Sequence, residues 1–224
     1  MRRLFLRCAL LCVGLCGIAE ARAQNLVTNG SFEKGLAGWN VSGSVVVIDY
    51  GGSDGPNFVS LSRDQTPNNG RLSQTVATTA GGCYTLAFDF GAVDYTGNNP
   101  QSLRVIVRND AVTLLDWTIG PVSYGGVYQF EAYAIGVVPV GSETTIEFLD
   151  VSGNTFDADG ILDNVRLSPG CPPDFDCDGF VNGTDFDAYV QAFEAGDSRA
   201  DFDHDGFITG LDFDLYVQAF EAGC

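Results

Sequence analysis

The 224-residue sequence predicts a mainly β protein, a two-sheet sandwich followed by a small helical unit. Three observations lead there. Short alternating apolar runs fill residues 24–168, punctuated by Gly, Asn and Pro. A proline-rich break follows, and the rest of the chain is a tandem repeat.

The chain opens with Arg2, Arg3 and Arg7, an apolar run from Cys8 to Ala19, and Ala21-Arg22-Ala23. This is the pattern of a secretory signal peptide, and its apolar run is shorter than the roughly 20 residues of a membrane-spanning helix. Residues 1–23 are therefore expected to be removed, leaving a secreted, extracellular or cell-surface protein with no membrane span. Its 7 bases and 28 acids then give a net charge of 7 - 28 = -21. That excess disfavours nucleic acid and anionic membranes, but leaves calcium, sugars and basic protein surfaces open. Cys83, Cys171, Cys177 and Cys224 remain, in an oxidising compartment where four cysteines allow three pairings.

In the first half, Leu86, Phe88 and Phe90 alternate with Thr85, Ala87 and Asp89. Leu103, Val105 and Val107 alternate with Arg104, Ile106 and Arg108, and Ile146 and Phe148 flank Glu147. Period-two patterns of this kind make half-buried strands. Breakers lie between them, including Gly51-Gly52, Asn68-Asn69-Gly70, Gly81-Gly82 and Gly125-Gly126. Ser168-Pro169-Gly170-Cys171-Pro172-Pro173 ends this domain, because consecutive prolines remove backbone donors. The expected domains are thus 24–168 and 169–224.

The second domain contains two copies of one unit. Asp174 to Gly196 and Asp201 to Gly223 are identical at 18 of 23 aligned positions. Each copy places polar oxygen donors at positions 1, 3, 5, 9 and 12, with Gly at 6. In the first these are Asp174, Asp176, Asp178, Asn182 and Asp185; in the second, Asp201, Asp203, Asp205, Thr209 and Asp212. With the backbone carbonyl of Phe180 or Phe207 at position 7, that spacing wraps one calcium ion. Carboxylates crowded this closely repel one another until a cation orders the loop. After each loop, Phe186, Tyr189, Val190 and Phe193, or Phe213, Tyr216, Val217 and Phe220, follow the i, i+3, i+4, i+7 spacing of one helical face. Asp185 and Asp212 fall at the helix starts, and Val181 and Ile208 are placed to pair across the loops.

Neither loop has room for the entering helix of a complete EF-hand. Two loop-then-helix units with Asp at position 12, spaced by 27 residues (201 - 174), resemble a type I dockerin over residues 174–223. The resemblance implies two calcium ions and a cohesin domain as partner. It places the partner-facing positions at Gly183, Thr184, Val190 and Gln191, and at Gly210, Leu211, Val217 and Gln218. Thr184 against Leu211 breaks the symmetry of the copies, and the helices lack the Lys/Arg pair common in cellulosomal dockerins. Cys171 and Cys224 bracket the unit, whose internal two-fold symmetry brings its ends together, so a disulfide is expected between them. Cys177, at loop position 4, points away from the ion, and its pairing with Cys83 is left open.

Asn25-Leu26-Val27-Thr28-Asn29-Gly30-Ser31-Phe32-Glu33 followed by Gly38-Trp39, and Ile161-Leu162-Asp163-Asn164-Val165-Arg166-Leu167, resemble the two ends of galactose-binding-like jelly rolls. That family includes several carbohydrate-binding modules. The resemblance implies adjacent terminal strands sharing a structural calcium ion, with Glu33 and Asp163 as ligands. Sugar binding on such a scaffold stacks exposed aromatic rings on pyranose faces. Trp117, Tyr95, Tyr124 and Tyr50, near loop signals, are the candidates, against the competing expectation that each ring belongs to the core, as Trp39 does.

His204 is the only histidine and lies inside a calcium loop, so Ser-His-Asp, Cys-His and His-ligated zinc chemistries lack their parts. A glycosidase needs only two carboxylates, but nothing marks a pair among Asp49, Asp89, Asp94, Glu131 and Glu147. The expected function is therefore non-enzymatic: calcium-dependent docking to a cohesin-like partner, with polysaccharide or cell-surface glycan recognition by the sandwich. The alternatives are a structural surface protein with a calcium-stiffened cap and no cohesin partner, and a small glycoside hydrolase.

Overall fold

The computed structural model describes residues 24–63, 69–95, 97–126, 128–153 and 157–224; the expected signal peptide lies outside them. Ten strands precede two helices: β1 (Asn40–Ser42), β2 (Val46–Ile48), β3 (Phe58–Ser60), β4 (Arg71–Ala77), β5 (Tyr84–Asp94), β6 (Gln101–Asn109), β7 (Val112–Val122), β8 (Gln129–Val137), β9 (Glu143–Asp150), β10 (Ala158–Pro169), α1 (Gly183–Ala195) and α2 (Gly210–Ala222). The strands form two five-stranded sheets, ordered β1-β4-β9-β6-β7 and β2-β3-β10-β5-β8. Every pairing is antiparallel. The expected jelly-roll sandwich is thus present.

Alternation decides which side chains meet between the sheets. In β6, Leu103, Val105 and Val107 are fully buried while Arg104, Ile106 and Arg108 face outward. Leu86, Phe88 and Phe90 of β5 and Ile146 and Phe148 of β9 meet them in one core. Phe148 touches Phe88 edge-on at 5.2 Å and Trp39 at 6.3 Å between ring centres. Glu147 departs from the simple rule. It faces outward yet is 2% exposed, because Arg71 and Arg108 close over it, each 2.5 Å from the same oxygen.

The N-terminal motif closes the sandwich. Leu26 N–H donates to the Leu167 carbonyl at 2.8 Å and Val165 N–H to the Gly30 carbonyl at 2.9 Å, so the first described segment lies along β10. Asn29 Nδ2 donates to the carbonyls of Gly35 and Ala37, and its own carbonyl accepts from Trp39 Nε1. These bonds hold Phe32 and Trp39 in the core.

β10 ends at Pro169, where the sequence predicts a break. Among the described residues, the two helices beyond it begin with reciprocal caps. Asn182 and Thr209 accept from the first turn while Asp185 and Asp212 reach back to the cap residue's own N–H. The helices pack Tyr189 on Tyr216, stacked 3.7 Å apart, inside a shell of Phe175, Phe186, Phe193, Phe202, Phe213 and Phe220. Ala192 is buried in this second core, whereas Val190, assigned to the inner face by periodicity, is only half-buried and outside it. The helix turns its small residue inward because the stacked tyrosines occupy the centre. Ile208 joins the cluster, and neither it nor Val181 belongs to a strand.

Among the described residues, two disulfides complete the fold. Cys171–Cys224 joins the ends of the repeat pair, as expected, and Cys83–Cys177 ties the first loop to the sandwich at the start of β5. A cleft of about 560 Å³ lies beside the second, between Gly81 and Val138 of the sandwich and Ala188, Gln191, Ala192 and Ala195 of α1.

Candidate functional site

Each repeat folds its acidic loop around a small space. Asp174, Asp176 and Asp185 each bring one carboxylate oxygen within 4.8 Å of the other two, and so do Asp201, Asp203 and Asp205. Asp178 in the first loop and Asp212 in the second stand outside these triads. Gly179 and Gly206 have φ of 92° and 90°, a left-handed turn that a side chain would strain. Gly179 N–H and Gly206 N–H donate to Asp174 and Asp201 at 2.9–3.0 Å, folding the loop back over its first aspartate. Asn182 and Thr209 serve as helix caps, and the side chains of Phe180 and Phe207 are each 72% exposed.

The electrostatics follow from this crowding. Burial, and then the neighbouring Asp185 and Asp178 carboxylates, push Asp174 above its ordinary value. Asp212 lies below its ordinary value, chiefly because Thr209 N–H donates to it. Burial works to raise Asp185, but N–H donors from Asn182, Asp176 and Phe175 hold it below. An all-oxygen, acid-rich donor set of this kind fits a hard cation such as calcium.

The expected partner-facing residues lie on the surface. Gly183, Thr184, Gln191, Gly210, Leu211 and Gln218 are exposed, and Val190 and Val217 are half-buried. The two copies differ in surroundings, since Gln191 lines the cleft against the sandwich.

The proposed calcium pair of the sandwich has a different character. Glu33 and Asp163 flank the loop 52–57, and Glu33 Oε1 accepts from Asn57 N–H at 2.8 Å. Asp163 Oδ2 accepts the N–H of Ser53 and Asp54 and the hydroxyl of Ser53, while Oδ1 accepts Asn164 N–H. These bonds pin the loop between the two carboxylates, and an oxygen that accepts a single N–H keeps a second lone pair. Gly55 passes so close that a Cβ there would lie 2.4 Å from Glu33 Oε1.

The four candidate rings separate into two groups. Tyr50 and Tyr95 are 54% and 64% exposed and converge on Tyr128, which the sequence reading missed. The hydroxyls of Tyr50 and Tyr128 are 2.9 Å apart, and Tyr128 also packs on Phe58. Together they make an aromatic patch on the outer face of the β2-β3-β10-β5-β8 sheet. Trp117 is not free for stacking: it is half-buried against Phe88 and Tyr133, because its register with Val105 turns it inward. Tyr124 is half-buried too, and burial with the adjacent Glu131 raises its phenol well above the ordinary range. The signal that could have found Tyr128 is its place just after Gly125-Gly126 and directly before β8.

Three of the carboxylates considered for catalysis are engaged by other partners. Glu147 is sealed between two arginines, Asp89 is bound by Ser53 and Asn164, and Asp94 accepts from Gly97, Asn99 and Ser123.

This fold and these loops define a two-sheet antiparallel sandwich carrying an acidic loop–helix pair. No family model matches the sequence, and a search of curated proteins found no match. Among solved structures, TmCBM61 in complex with β-1,4-galactotriose is similar at 20% identity and a TM-score of 0.51, covering 66% of this chain and 99% of that one. A family 16 carbohydrate-binding module is 17% identical with a TM-score of 0.48, over 64% and 99% of the two chains. The CBM22-1 xylan-binding domain of Paenibacillus barcinonensis Xyn10C is 16% identical with a TM-score of 0.46, over 66% and 95%. The first of these establishes the jelly-roll fold.

Proposed function

We propose that this chain is a secreted, non-enzymatic, calcium-dependent adaptor. Its repeats form a dockerin-like module that binds two calcium ions and docks onto a cohesin-like protein, and its sandwich binds polysaccharide or cell-surface glycan. The observation that carries this is the pair of carboxylate triads, each within 4.8 Å, formed by Asp174, Asp176 and Asp185 in one loop and by Asp201, Asp203 and Asp205 in its near-identical copy. Calcium would supply charge neutralisation and loop order; Asp174, Asp176, Asp178, Asp185 and their counterparts would hold it. The exposed Phe180, Phe207 and Leu211 offer apolar area to a protein partner. Glycan recognition rests on the Tyr50, Tyr95 and Tyr128 patch together with the module-type fold.

The disulfide to Cys83 favours a second reading, in which the repeats act as a calcium-stiffened cap on the sandwich. Surface-immobilised cohesin domains separate the two: the adaptor reading expects binding that a chelator abolishes, and the cap reading expects none. On a glycan array, Tyr50→Ala and Tyr95→Ala should each weaken binding about tenfold, or about 1.4 kcal/mol. Unchanged binding in both variants would remove the aromatic patch from the account.

A further inference from the structure

We infer that the two calcium loops, though nearly identical in sequence, are unequal in affinity, and that the Cys83–Cys177 disulfide makes the first a tight, structural site and the second an exchangeable one. This rests on the calcium reading above. Position 4 of each loop adopts the same left-handed backbone, with φ of 64° at Cys177 and 60° at His204. The two side chains have opposite fates. Cys177 is covalently fixed to the start of β5, while His204 is exposed.

Three further contacts favour the first loop. The Asp174 carbonyl lies 3.1 Å from Cys83 Sγ, and Asp174 is 6% exposed, whereas its counterpart Asp201 is only half-buried. Thr184 Oγ1 shares its proton between Asn182 Oδ1 at 2.9 Å and Asp176 Oδ2 at 3.1 Å, steadying a member of the first triad; Leu211, at the same position of the second copy, has no donor to offer. Arg199, stacked over Phe175 at 5.3 Å and paired with Asp197, packs its stem against Gly81 of the sandwich. Positions 3, 5 and 7 are exposed in both loops, so position 4, with Cys177 half-buried and His204 exposed, is where the loops diverge.

Both loops suffer the same carboxylate repulsion before the ion arrives. The difference is entropic. Part of the free energy of metal binding is consumed in ordering the loop. A crosslinked loop has already lost much of that freedom, so its ion binds at smaller cost. The first site then fastens the module to the sandwich. The second, beside the open Gln218 face, loads and empties with calcium concentration and sets whether that face is ordered for a partner.

Calorimetric calcium titration of residues 24–224 should resolve two sites differing at least about tenfold. Asp185→Asn should delete the tighter and Asp212→Asn the weaker. In the double variant Cys83→Ser/Cys177→Ser the first site should weaken until the two agree within about threefold. Hydrogen exchange on the unmodified chain gives a reading independent of any variant: amides of 175–182 should gain protection at lower calcium than those of 202–209. Equal sites, a tighter second site, or a gap that survives loss of the disulfide would overturn the inference while leaving the calcium reading intact. No binding at all would end both.

Discussion

Asp163 is completely buried, with Asp89 opposite it in the β5–β10 register. Ser53 Oγ donates to both carboxylates, and Asn164 Nδ2 donates to Asp89. Burial pushes the Asp163 carboxyl up to about 6, against the pull of its N–H donors. The folded value lies above the roughly 3.9 of an unfolded aspartate, so the protonated form favours folding. That contribution is complete below the unfolded value and is lost as pH rises through about 6. In calcium-free buffer, the melting temperature of the parent should fall relative to Asp163→Asn between pH 4 and 7; parallel profiles would refute this. Such a role was not legible in the sequence. Its Asp-Asn pair resembles a ligand motif, and the loop that donates to Asp163 Oδ2 lies 110 residues away. The acidic loops lie at the other extreme, because their carboxylates fall within 12 consecutive positions and spacing alone places them.

At the scale of elements, alternation was a sound guide wherever one face of a strand meets the core. β6 follows it without exception. It failed at Glu147, whose burial comes from arginines on two other strands, whereas Trp117, chosen for its nearness to loop signals, obeys it, on the core side with Leu115 and Ile119. Helix periodicity likewise placed Tyr189 and Tyr216 inward, but it could not foresee that their stacking draws Ala192 rather than Val190 toward the centre. Phe148 shows the energetic weight of the sandwich core, being fully buried and in contact with Phe88 and Trp39. Phe148→Ala should destabilise the sandwich by about 3–5 kcal/mol in chemical denaturation. A loss below about 1 kcal/mol would mean that the packing described for this core is wrong.

For the whole molecule, charge distribution and crosslinks tell one story. Residues 171–224 hold 13 acids and one arginine, a net of -12, against -9 for residues 24–170. Eight of those 13 acids are proposed ligands, so two calcium ions would offset four charges in the most acidic part of the chain. The disulfides hold this part closed on itself and against the sandwich, but they do not remove its repulsion. The second core, with its stacked tyrosines, is therefore expected to depend on the ions for its order.

Native mass spectrometry of residues 24–224, titrated with calcium and followed by helical circular dichroism, tests this most directly. The account predicts two bound ions at saturation and a loss of helical signal on chelation, with Asp185→Asn and Asp212→Asn each reducing the count by one. Fewer than two ions at millimolar calcium, or helices indifferent to the chelator, would contradict it.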